Sequence, residues 1–430
     1  MNVQSVAQAK EQVLWSQEYP KRGAFLRAER LHLAFLDGLR GLAAFYVLLF
    51  HVIADGKEVL TAQNFLLNFL RFGHEAVVVF IVLSGFVLTL PMARAPRVTL
   101  AGGLGKFFLR RARRILPAYY ASLLMLPLFF LVIESLKGMT AEGADWTRVH
   151  AMFFSADMLA HLFLLHNLSA DWAGSINPVL WSLSTEWWIY FVFALLLLPI
   201  WRGLGIACAV CISILLGLLP TGLAVLGYST IAGFPHLLGA FGLGMMSAAW
   251  LSLDKHISQF VHWHKTLQGV VVVAFLVLVG IVVAAPSLRV NTETRWITDL
   301  LIALICALLI QLMAATVTTA HPAFAYLTIA VRILESRLLL FLGRISYSLY
   351  LTHLIVWSMF GITLGLAPIQ RFITISLDPM PMRIFVLLPV QLLFAYGFYL
   401  LFEKPFLFQH KHAAQTIPSR MSLAEGHRVE

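Results

Sequence analysis

The sequence predicts an all-α polytopic integral membrane protein, about ten transmembrane helices in one bundle with both termini cytoplasmic. Charged residues make up only 12% of the 430, about half the share usual in soluble domains, whereas 60% are hydrophobic and mean hydropathy is +0.83. A water-soluble globule of this size has no means of covering itself with so little charge, so soluble enzymes, disordered chains and secreted disulfide scaffolds are disfavoured together. Apolar runs of roughly 20 residues, the length that crosses a bilayer, recur along the chain. The basic residues between them alternate in density as a fixed orientation requires.

Residues 1–32 mix both charge signs, contain no apolar signal core and read as a cytoplasmic tail. The membrane domain occupies 33–406, with spans expected at 34–54, 75–92, 116–134, 179–200, 204–220, 231–251, 268–286, 296–317, 338–362 and 382–402. Segment 150–168 is apolar but interrupted by Asp157, His161 and His166, and reads as an interfacial or re-entrant helix rather than a crossing. Residues 407–430 read as a cytoplasmic, disordered tail. With the N-terminus inside, 22 of the 31 Lys and Arg fall in cytoplasmic segments, eight fall outside, and Arg40 lies within the first span. The net charge of +10 is thus a topology signal at the lipid surface and requires no nucleic acid partner. Cys208, Cys211 and Cys306 sit in apolar runs without a second ligand pair; they read as buried small hydrophobes, and no metal site is expected.

An ionisable group in the bilayer is costly and by default a functional candidate. The candidates are Asp37, Arg40, His51, Glu186, His236, Arg344, His353 and Glu403. Arg40 and His51 are eleven residues apart, which puts both on one helix face about 16 Å apart along the axis. Arg40 would face the cytosolic half and His51 the outer half; alternatively Arg40 pairs with Asp37 and His51 sits among headgroups. Glu186 needs a partner, and His51, at matching depth, is the expected one, with His353 able to join them. Arg111 and Arg114, one turn apart before Pro117, suit bidentate phosphate binding, though a plain positive-inside anchor explains them as well. Trp181, Trp187, Trp188 and Tyr190 fit an interfacial aromatic belt or a sugar-stacking rim.

Six ordered segments, LDGLRGLAAFYVLLFH (36–51), FIVLSGFVLT (80–89), RRARRILPAYY (110–120), NPVLWSLSTEWWIYF (177–191), LGRISYSLYLTH (342–353) and FEKPF (402–406), resemble membrane acyltransferase family 3. Its members are bacterial O-acyltransferases of surface polysaccharides, lipid-linked sugars and small metabolites. The resemblance implies a multi-pass protein of the bacterial inner membrane, with acyl-CoA, most commonly acetyl-CoA, as donor substrate and no bound cofactor. It implies His51 as catalytic base and Arg40, Arg111 and Arg114 as donor-binding residues. Ser84, Gly85, Phe86, Trp181, Glu403 and Pro405 fall on its structural motifs, and Ser346, Tyr350 and His353 on its SYSLYLTH motif. Read with these residues, Glu186 is expected to orient His51, Arg344 to join the donor site, and Ser346, Tyr350 and His353 to support catalysis. The expected partners are membrane lipids and a glycan or glycolipid acceptor at the outer side, with a homo-oligomer or a separate periplasmic protein left open. His236 stands where the family often has Arg, a departure from its pattern.

O-acyl transfer needs a base within reach of a hydroxyl, stabilisation of the oxyanion and a positioned thioester. A secondary transporter or exporter is the rival class, since ten spans and buried charges of both signs serve it too. No inverted repeat is evident, and the Arg-x10-His arrangement has no counterpart in the second half.

Overall fold

The computed structural model describes residues 33–54, 70, 72–138, 145–226, 233–252, 266–280, 294–319, 327–364 and 380–407, and among these the regular structure is entirely helical. Among the described residues eight helices are long and apolar enough to cross a membrane: α1 (Ala34–Ile53), α2 (Gly73–Ala93), α3 (Gly103–Lys137), α4 (Leu180–Leu204), α5 (Ile206–Ala224), α8 (Arg295–Thr318), α9 (Arg337–Leu364) and α10 (Arg383–Leu407). Two shorter apolar helices, α6 (Leu237–Leu251) and α7 (Thr266–Gly280), complete the set. Each falls on one of the ten expected runs, although the expected seventh span extends into residues outside those described, as do both expected tails. In lipid every backbone polar group must be satisfied within its own segment, which is why apolar runs of this length become helices.

The third helix begins well before the expected start at 116. Gly102 and Gly103, at φ +82° and +77°, make the turn that launches α3. Leu, Phe and Arg, all good helix formers or readily accommodated, then carry it through Arg110–Arg114. The basic cluster therefore lies on helix rather than in a loop. Cys208 and Cys211 are a second correction: both are exposed on α5, and only Cys306 is buried. The reason is that α5 lies on the periphery of the bundle, where an apolar side chain faces lipid as readily as core.

Two glycine-mediated approaches set the geometry around the bundle centre. A Cβ on Gly38 would lie 1.8 Å from the Leu334 carbonyl oxygen, one on Gly41 2.3 Å from that of Leu339, and one on Gly343 2.0 Å from that of Asp37. Gly41 and Gly343 bring α1 and α9 into backbone contact, and so hold the Arg40 helix against the His353 helix, while Gly38 meets the backbone just before α9. Gly85 and Gly244 do the same for α2 and α6, with a Cβ on either meeting a carbonyl oxygen at 2.1 Å. Because both glycine pairs are met by backbone, a single methyl has nowhere to go. Gly343→Ala is expected to cost more than about 3 kcal/mol, at the upper end of overpacking, and to lower the thermal midpoint of detergent-solubilised protein markedly; an unchanged midpoint would sink the account of this interface.

Helix α2 runs back against α1. Gly73 at the start of α2 meets Phe50 near the end of α1, and α9 runs parallel to α1, with Gly343 at Asp37 and His353 beside His51. Among the described residues four π-helical turns interrupt the α-helices, and two of them carry candidate residues: Phe50–Ala54 contains His51, and Tyr399–Glu403 ends on Glu403. Such turns occur frequently at functional sites because they rotate one side chain out of the regular register.

Residues 145–179 form no crossing. They fold into short helices, Trp146–Phe154, Ala156–Leu162 and a 3-10 turn at His166–Leu168, packed against the bundle. Tyr119 and Tyr120 donate to the carbonyls of His161 and Leu162 at 2.7 and 2.8 Å. Leu164 takes a left-handed φ of 54°, and its carbonyl accepts both Ser184 Oγ and Trp188 Nε1. Two donors on one carbonyl offset the backbone strain of that conformation.

Inside this segment the rings of His161 and His166 stack at 4.0 Å and 1°, both fully buried. Burial lowers the pKa of His161 and pushes that of His166 down to about 4, with the neighbouring His161 adding to the effect on His166. Between pH 6.5 and about 4 the unfolded chain therefore binds more protons at this pair than the folded one. Stability is expected to fall as pH drops through that window, by up to about 3 kcal/mol from His166. His166→Phe should flatten the pH dependence of the thermal midpoint; a dependence as steep as the wild type's would show that other groups carry it.

Candidate active site

Helices α1, α2, α3, α4 and α9 enclose a cavity of about 120 Å³, far more than the ~10–15 Å³ one water needs. One end is basic, with Arg40, Arg111 and Arg114 all in the lining. Arg40 Nη1 also reaches Asp37 Oδ1 at 3.1 Å, so this side chain makes the i, i+3 pair and still borders the cavity. The Arg111 guanidinium lies 5.8 Å from the centroid of the Tyr190 ring, and its buried Nε has no hydrogen-bond partner among the described residues. A guanidinium N–H held inside the protein without an acceptor is costly alone and suits an anionic ligand.

The middle of the cavity is organised by Glu186. Its Oε1 accepts Ser84 Oγ at 2.6 Å and the Tyr190 hydroxyl. Glu186 is therefore not the orienting partner of His51: its carboxylate turns down the cavity toward the arginines, where it meets two hydroxyl donors and opposite charge. Phe86, fully buried, packs into the core beside this motif.

At the other end Ser182 and Tyr350 line the wall and share a 2.7 Å hydroxyl–hydroxyl hydrogen bond. Three residues on, the buried His353 directs Nδ1 at the Tyr350 carbonyl at 2.8 Å and at that of Leu349 at 3.2 Å. A neutral imidazole donating from Nδ1 keeps Nε2 as its basic nitrogen. Its ring centroid lies 5.9 Å from Tyr350 and 5.0 Å from His51. The two histidines are neighbours just past the hydroxyl pair, and His51 itself is not part of the cavity lining.

The remaining expected residues divide plainly. Ser346 lines the cavity and donates to the Gly343 carbonyl at 2.8 Å. Arg344 is exposed and borders no part of the cavity, which corrects its expected place in the donor site: one residue after Gly343, it lies on another face of α9. Glu403 is buried and accepts Ser348 Oγ at 2.6 Å, tying α10 to α9, and Pro405 lies in the final turn of α10. Trp181 is not a rim aromatic: its indole stacks on His74 at 5.6 Å and 13° inside the bundle. His236 lies outside the cavity, with its Nε2 2.8 Å from Asp299 Oδ2. Asp299 and His74 were missed in the sequence because both fall within five residues of a helix start, where a polar residue passes for a boundary.

An all-helical bundle around a cavity that is cationic at one end, with two neighbouring histidines beyond the other, gives the frame of a multi-pass membrane enzyme. The chain belongs to the acyltransferase domain family, membrane acyltransferase family 3, whose sequence profile matches residues 33–400. It is 28% identical over 207 residues to the peptidoglycan O-acetyltransferase OatA of Listeria monocytogenes, covering 44% of this chain and 30% of that protein. A Staphylococcus aureus (strain COL) protein provisionally named an O-acetyltransferase is 25% identical over 338 residues, covering 75% of this chain and 50% of that protein. A Bacillus subtilis protein provisionally named a peptidoglycan O-acetyltransferase is 28% identical over 165 residues, covering 38% and 23%. The chain thus spans half or less of the length of these relatives. No solved structure matches it.

Proposed function

We propose that this multi-pass membrane protein transfers an acyl group, acetyl by preference, from acyl-CoA to a hydroxyl of a cell-envelope glycan or glycolipid, of which peptidoglycan is the best-supported kind. The observation that carries the reading is one continuous cavity leading from Arg40, Arg111 and Arg114 to Ser182 and Tyr350, with His353 and His51 directly beyond. Three guanidiniums against the carboxylates of Glu186 and Asp37 still leave the basic end net cationic, as a coenzyme carrying phosphates requires. In this reading the pantetheine arm enters the cavity and the thioester lies against the Ser182–Tyr350 pair.

In this reading His51 is the base. It takes the proton of the acceptor hydroxyl as that oxygen attacks the thioester carbonyl; the carbon–sulfur bond then breaks, and the proton passes to the departing thiolate, giving an ester and free CoA. His353, its tautomer fixed by the Tyr350 carbonyl, stands beside His51 to support it, and the Tyr350 hydroxyl is the donor nearest the developing oxyanion. The basic end faces the cytosol and the histidine end the outer side of a bacterial plasma membrane. Named relatives that act on peptidoglycan, together with the matched family, favour the glycan acceptor.

Membranes containing the protein are expected to move label from acetyl-CoA into a base-labile ester on cell-wall glycan. Label confined to a base-stable amide, or none in any glycan fraction while acyl-CoA still binds, would overturn the reaction class.

A further inference from the structure

A second polar cluster lies one turn from the cavity and takes no part in the chemistry above. Asp299, fully buried near the start of α8, accepts His74 Nε2 and His236 Nε2 on the same oxygen, Oδ2, each at 2.8 Å. His74 is the second residue of α2, and His236 immediately precedes α6. The three helices pack on one another with their N-terminal ends together, since Gly239 approaches Leu300 and Ser247 donates to the Ala307 carbonyl. A carboxylate placed among three helix N-termini gains from all three dipoles and from two N–H donors, which offsets the cost of burying it.

The bond to Asp299 fixes the plane of the His74 ring, and that plane lies flat on Trp181. Phe234 closes on both, 4.8 Å from each ring. The Trp181 carbonyl is held from the other side by Asn167 Nδ2 at 2.7 Å. Ser182, the next residue, carries the hydroxyl bonded to Tyr350, and Val77, one turn along α2 from His74, forms part of the cavity wall. The chain of contact from Asp299 to the reacting end of the cavity is therefore continuous and short.

We propose that Asp299, acting through His74 and anchored by His236, is a positioning residue for acyl transfer: it sets Trp181 and thereby the Ser182–Tyr350 pair against the thioester. This rests on the acyl-transfer reading. The basic end of the cavity is untouched by this cluster, so a positioning role separates maximal rate from donor affinity, whereas a purely structural role lowers the amount of folded enzyme and nothing else.

The test uses full-length protein in membranes, with turnover normalised to folded enzyme. His74→Phe keeps a ring on Trp181 but loses the bond to Asp299; His74→Gln keeps an N–H donor but loses the stack; Asp299→Asn keeps the shape and removes the charge. His74→Phe and Asp299→Asn are expected to lower kcat by about tenfold to a hundredfold, the scale of a misplacement near 1 Å, with the KM for acetyl-CoA within about twofold of wild type. His74→Gln should recover part of that rate. The emission of Trp181, read as the difference from Trp181→Phe, should change in His74→Gln, which removes the stacked ring. Active wild type with all three variants turning over at its rate, or with kcat and KM moving together, would overturn the positioning role. Wild-type membranes inactive with every acyl donor would instead overturn the acyl-transfer reading, and the proposal with it.

Discussion

Membranes carrying His51→Ala are expected to lose O-acyl transfer by about 10²–10⁴-fold, the usual contribution of a positioned base, while still binding acyl-CoA. The separation follows from distance along α1: His51 and Arg40 are eleven residues apart, about 16 Å on the helix axis. The substitution leaves the whole cationic end in place. It removes the ring contact with His353 but leaves the close α1–α9 backbone approach intact, because Gly41 and Gly343 lie at the other end of the helix. A fall in folded protein is therefore not expected, and an unchanged thermal midpoint is the control. His353→Ala should be less clean. The ring is buried and its Nδ1 is engaged with the carbonyls of α9, so its loss opens a void beside Tyr350 as well as removing a nitrogen. If His51→Ala transfers at the wild-type rate and His353→Ala does not, the base is His353 and the reading of the Arg-x10-His pair reverses.

How far the site was legible in the sequence depends on which interaction is asked about. Helix positions and the opposed placement of Arg40 and His51 follow from run length and the 3.6-residue turn, which lipid enforces strictly. The spacing of Arg111 and Arg114 puts them one helical turn apart, but leaves a phosphate clamp and a positive-inside anchor both open. Depth, however, does not give direction. Glu186 sits at a depth compatible with His51, yet its rotation about α4 aims it at Ser84 and Tyr190 instead. Arg344 has suitable depth and the wrong face. The His74–Asp299–His236 cluster was invisible for a different reason: its members are separated by 162 and 63 positions in the chain and meet only because three helix starts converge. No periodicity within one segment reports such a meeting.

The sharpest test of the donor site exploits the phosphates themselves. Arg111→Ala/Arg114→Ala is expected to raise the KM for acetyl-CoA by at least about 10²-fold, since each charge-assisted hydrogen bond to an ionised group is worth about 1.5–3 kcal/mol and adjacent losses are not fully additive. A phosphate-free thioester of N-acetylcysteamine carries the same acyl group on a short thiol. With that donor the double variant should turn over within a few-fold of the wild type, because Ser182, Tyr350, His353 and His51 lie at the far end of the cavity and keep their contacts. Lysine at both positions restores charge without the planar fork, so it should recover part of the affinity and show a steeper loss with salt. Equal impairment with both donors would mean that the arginines support the bundle rather than the coenzyme. Arg111 in particular would then act through the ring of Tyr190 and the carboxylate of Glu186, and the phosphates would have to be bound elsewhere on the cytosolic surface.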